Sequence, residues 1–122
     1  GCSDHELLQG YYLIMEENRF SLNARTATKA ERNAFIMSLK DAITSGGGVP
    51  GKSFVEDEGL YIPFKKNGMN FDVSFVKDPD ELESQHPRAE PIITQVQVND
   101  WHVGNLAIAY TLAELITAIT SL

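Results

Sequence analysis

The stretch GLYIPFKKNGMNFDVSFVK, residues 59–77, constrains the fold more than any other part of the chain. Asn67-Gly68 separates two alternating runs. A two-residue type I′ turn needs positive φ at both central positions, and Asn-Gly is a pair that tolerates it. That loop length pairs Lys66 with Met69. Counting back sets Phe64 against Phe71, Ile62 against Val73 and Leu60 against Phe75, all on one face. The opposite face receives Tyr61 with Ser74, Pro63 with Asp72 and Lys65 with Asn70. A shift of one residue would scramble this sorting, so turn chemistry and hydrophobic pattern specify the same register. Pro63 has no amide donor, so strand 59–66 is expected at a sheet edge, at least at that position.

The flanking segments carry helix and strand signals. Ser3 and Glu6 form a capping box before Leu7, Leu8, Tyr11, Tyr12 and Met15, which predicts a helix over about 4–17. Phe20 and Leu22 alternate in a short extended piece. Thr28 and Glu31 form a second capping box. Ala34, Phe35, Met37 or Ser38, Leu39, Ala42 and Ile43 then predict a helix to about residue 45, with Gly46 as a left-handed stop. Residues 77–91 hold three prolines and many acids and read as a loop. A third strand is expected at 91–98, with Ile92, Thr94, Val96 and Val98 on one face. Asn99 or Asp100 can cap a last helix over about 101–121. Its apolar residues surround it and Glu114 is its only charge, so it is expected to be buried on most sides or to cover an interface.

These elements predict an α+β fold in a single domain, 1–122. Its sheet is small and antiparallel, with three or four strands: the hairpin 59–66/69–77 plus 91–98. Two N-terminal helices and one C-terminal helix pack on one face. Leu60, Ile62, Phe64, Phe71, Val73, Phe75, Ile92 and Val96 should form the core with the helix stripes.

Residues 46–53 spell Gly46-x-x-x-x-Gly51-Lys52-Ser53, the pattern of a phosphate-binding P-loop. A P-loop follows a strand and opens a helix, so that free amides and the helix N-terminus meet phosphate. Here a helix precedes and the strand-like Ser53-Phe54-Val55 follows. Pro50 also removes a donor. Gly46–Ser53 is therefore expected to be a turn and not a nucleotide site.

Composition narrows function. With 17 acidic and 10 basic residues the net charge is −7. Such a chain repels nucleic acid and anionic membrane surfaces and suits a cationic ligand or a basic protein partner. Glu114, Asn105 and the threonines interrupt the last apolar stretch, so no integral membrane span is expected. The single Cys2 excludes an internal disulfide. His5, His86 and His102 lack metal-ligand spacing, and Asp78, Asp80, Glu81 and Glu83 lack that of a calcium loop. No catalytic set, metal or cofactor is legible.

Three functional readings follow. The first is a non-enzymatic acidic protein-interaction domain of adaptor, inhibitor or immunity type. It could self-associate through Leu112, Leu115, Ile116 and Ile119 of the last helix. The second is a small-ligand binder or enzyme with a pocket between sheet and C-terminal helix, near Tyr110, Trp101 and His102. The third is a lipoprotein of the cell envelope, anchored at Cys2 if that residue follows a lipobox. The compartment is otherwise open.

Overall fold

The computed structural model describes residues 19–77 and 92–122. The expected helix at 4–17, Cys2, His5 and the acidic residues and His86 of the loop at 78–91 lie outside these residues.

The hairpin has the register that its turn chemistry dictates. β4 (Gly59–Lys66) and β5 (Met69–Val76) pair from Lys66↔Met69 through Phe64↔Phe71 and Ile62↔Val73 to Leu60↔Phe75. Asn67 and Gly68 have φ of 53° and 76°. The six inward side chains are all buried. The edge expectation at Pro63 also holds locally. β2 (Val49–Pro50) pairs with β4 at Phe64 and Lys65, and β3 (Phe54–Glu56) pairs with it at Gly59 to Tyr61. Pro63 sits in the gap between these two short strands, where its carbonyl accepts from the Gly51 amide at 2.7 Å.

α1 (Lys29–Ser45) starts at its capping box: the Thr28 hydroxyl accepts from the Glu31 amide at 3.1 Å. It ends at Ser45 as expected, but Gly46 is not the left-handed residue. Gly46 has φ −82°, and Gly47, at φ 92°, is the left-handed residue. The Gly47 amide donates to the Thr44 carbonyl and the Gly48 amide to that of Ile43, the two bonds of a Schellman motif. The glycine run is thus a helix stop leading into a strand. The amides of Gly46, Gly47, Gly48 and Gly51 are all committed to backbone carbonyls.

The arrangement predicted for the rest is overturned. Instead of three or four strands with a helix over 101–121, the described residues form a six-stranded antiparallel sheet. Its order is β2/β3, β4, β5, then the strands at Val96–Asp100 (β7) and Gly104–Ala109 (β8), and it is joined by a separate two-stranded ladder and two helices. The strand expected at 91–98 is broken at the exposed Thr94 and Gln95. β6 (Ile92–Ile93) pairs with β1 (Leu22–Asn23), while β7 (Val96–Asp100) joins the main sheet beside β5. The break resets the phase, so Ile93 rather than Ile92 enters the core with Val96 and Val98.

The expected last helix is a strand, β8 (Gly104–Ala109), followed by a short helix, α2 (Leu112–Thr120). Asp100 caps no helix. Its carboxylate accepts from the amides of His102 at 2.7 Å and Val103 at 3.1 Å, closing the turn between β7 and β8. An N-cap aspartate uses the same side-chain-to-amide bonds, so the two options look alike in sequence. The real cap is Thr111. Its hydroxyl accepts from the Glu114 amide at 3.0 Å, and the Glu114 carboxylate accepts from the Tyr110 amide at 2.7 Å.

Both helices lie on the inner face of the sheet. Leu39, Ala42 and Ile43 of α1 and Leu115 and Ile119 of α2 share one core cluster with the hairpin, β7 and Ala109. Edge-to-face contacts from Phe35 to Phe20 and Phe75 extend it toward β1. No helix among the described residues is long and apolar enough to cross a membrane.

Candidate functional site

Strand alternation gives the sheet a second face, and neither helix covers it. Tyr61, Ser74, Gln97 and Ile108 form one row across β4, β5, β7 and β8. Phe54 extends that row from β3, its ring stacked on Tyr61 with centroids 5.4 Å apart. The next row holds Pro63, Asp72, Asn99 and Asn105.

Apolar groups are unusually exposed here. Phe54, Ile108 and Trp101 are 43%, 45% and 58% accessible, and Leu106 and Tyr110 are also exposed. In β8 the small Ala109 turns inward and is fully buried, while Ile108 turns outward. α2 follows immediately and packs against the inner side of the strand, which leaves room there for a methyl group rather than a butyl one. An apolar alternation with its bulky half outward is not what core packing alone selects.

A polar centre lies among these rings. The Asn99 amide nitrogen donates to Asp72 Oδ1 at 2.8 Å and to Ser74 Oγ at 2.9 Å. The Asn105 amide reaches Asn99 Oδ1 at 3.4 Å. Partial burial pushes the Asp72 carboxyl above its ordinary value, and the Asn99 hydrogen bond pulls the other way. The backbone bonds from His102 and Val103 hold Asp100 below its ordinary value. An open depression of about 550 Å³ runs over this centre. Phe54, Tyr61 and Trp101 border it together with Glu56, Asp72 and Asp100, and among the described residues no Lys or Arg lines it.

The residues expected to bind a ligand are not brought together. Trp101 and His102 sit in the β7–β8 turn, and Tyr110 lies at the other end of β8. Trp101 borders the depression; His102 and Tyr110 do not. The space between sheet and C-terminal helix is filled rather than hollow, because Leu115 and Ile119 are fully buried there. Of the expected interface residues, those two are therefore spent on the chain's own core, and Leu112 and Ile116 are half-buried beside it. Sequence reasoning missed Phe54 and Asp72. The hairpin register had already put Tyr61 and Asp72 on the outward face, and that was the available signal.

Ser74 Oγ accepts from an amide, and His102, the one described histidine, lies outside the depression's border. Among the described residues no group of three or more His, Cys, Asp or Glu could hold a metal ion. No family model, curated protein or solved structure matches the chain.

Proposed function

We propose that the chain is a binding domain whose open sheet face receives a basic segment of a partner protein, in the manner of an adaptor or inhibitor. The observation that carries this is the border of the outer depression: three aromatic rings, the acidic Glu56, Asp72 and Asp100, and no cation among the described residues. A ring face attracts a guanidinium or ammonium group, and a nearby carboxylate neutralises it. Arginine combines both contacts well because its planar group can stack and form paired hydrogen bonds at once. The net charge of −7 adds long-range attraction for such a partner, which acts mainly on the association rate and weakens with salt. Tyr61 and Asp72 stand on preformed strands and Trp101 on the turn that joins β7 to β8, which limits the entropic cost of docking.

Titration of isotope-labelled protein with tri-arginine amide tests this. Saturable amide shifts are expected around Tyr61, Gln97 and Trp101, with a change in Trp101 fluorescence, and both should weaken as salt is raised. A triglutamate peptide should give neither. Trp101→Ala with Glu56→Gln, both at exposed positions, should abolish the response without altering the melting temperature. Shifts that are absent, or that persist in this double variant, would overturn the proposal.

A further inference from the structure

A second hollow lies on the other side of the sheet, away from the open face. It occupies about 280 Å³ between α1, the β1–β6 ladder and the far end of the hairpin. Leu22, Leu60, Phe75 and Ile93 line it and are buried. Lys29, Arg32 and Lys77 line it too and are exposed, so their charges stand at its mouth.

α1 shows how this arises. Its core stripe runs through Phe35, Leu39, Ala42 and Ile43. A separate stripe, Lys29, Arg32, Asn33 and Ile36, has the i, i+3, i+4, i+7 spacing of one helix face and borders the hollow. Along it the character changes from cationic and polar at the helix start to apolar one turn further in. In a chain with 17 acidic and 10 basic residues, three cations converge on this hollow, and no acid among the described residues borders it. Glu31, beside Arg32 in sequence, is engaged by the Thr28 hydroxyl at 3.1 Å. No hydrogen bond or ion pair holds the charged groups of Lys29, Arg32 or Lys77 among the described residues.

We infer that this hollow is a binding site for a small amphipathic carboxylate, with a short acyl or aryl tail among Leu60, Phe75 and Ile93 and its head group among Lys29, Arg32 and Lys77. The volume is at the lower end of small-molecule sites, about 300–1,000 Å³. It therefore suits a medium-length chain rather than a long one. The tail would take the apolar wall out of water, and the carboxylate would meet the cations and the Asn33 amide at the mouth. The site is independent of the outer face, and each can fail without the other.

Octanoate is the probe, with octan-1-ol supplying the same tail uncharged and acetate supplying the head group alone. Octanoate should give saturable shifts at Ile36, Leu60, Phe75 and Ile93 and leave Tyr61 and Trp101 unmoved. Octan-1-ol and acetate should each bind about tenfold more weakly or worse. Arg32→Glu, at an exposed position, should weaken octanoate about tenfold while the free protein melts as before. Absence of saturable shifts at these residues, equal affinity for octan-1-ol, or unchanged octanoate affinity in Arg32→Glu would each overturn the inference.

Discussion

The ammonium group of Lys66 donates to the carbonyl of Ile119 at 2.7 Å and to that of Thr120 at 2.9 Å. The last residue of β4 thereby satisfies the final carbonyls of α2 and places a cation at the negative end of its dipole. The tip of the hairpin and the end of α2 are clasped together, 53 residues apart in sequence.

Lys66→Met keeps the stem and removes both bonds. It should lower stability by about 1–2 kcal/mol, read from the urea midpoint at constant slope. An unchanged midpoint would show that water replaces the ammonium at no cost.

Gly46 is where α1 meets α2. A Cβ added there would lie 2.6 Å from Ile119 Cγ2 and 2.7 Å from Ile119 Cβ, both in a fully buried side chain. Gly46→Ala should cost about 1–3 kcal/mol by overpacking, even though its φ of −82° suits alanine. A Gly46→Ala protein as stable as the parent in chemical denaturation would mean that the helices are free to move apart.

Thr111 decides where strand ends and helix begins. Thr111→Ala removes the acceptor of the Glu114 amide and should cost about 0.5–2 kcal/mol, while Thr111→Ser should be close to neutral. Thermal melts of the two variants separate the hydroxyl from the methyl group.

The two faces of the sheet should respond oppositely to charge. Phe71→Asp puts a carboxylate at a core position that is 5% exposed and should abolish folding, seen as loss of near-ultraviolet dichroism. Ile108→Lys, on the outer face, should change stability by no more than about 0.5 kcal/mol.

Asp72 gives a pH dependence. Burial raises its carboxyl above the ordinary 3.8, so the folded state binds that proton more tightly than the unfolded chain. The group's stabilising contribution is complete below 3.8 and is lost as pH rises through the folded value. Asp72→Asn should therefore be more stable than the parent at pH 7, and the advantage should disappear on acidification toward that range. A difference that is flat between the two pH values would mean that the shift is absent.

Much of the architecture around the hairpin was legible because its signals are local. Asn67-Gly68 admits one tight turn, and Thr28 with Glu31 reads as a helix start whatever surrounds it. The glycines after Ser45 form a Schellman stop, and a helix rather than a strand comes before them. The candidate site was legible only in part. Tyr61 and Asp72 were assigned to the outward face by register alone. Phe54 and Trp101 join them through strand pairings that no local pattern announces.

Residues 99–122 show where sequence-local reasoning ended. Asp100 can cap a helix or close a turn with the same oxygen, and VGNLAIAYT is apolar enough for either outcome. The hairpin, its six inward side chains and the limits of α1 follow from backbone angles and caps within a few residues, and are readable from those residues alone. That β8 is a strand with its bulky side outward depends on partners outside the strand itself. Its hydrogen bonds come from β7, and α2 fills the inner side so closely that alanine fits there and isoleucine is left facing water.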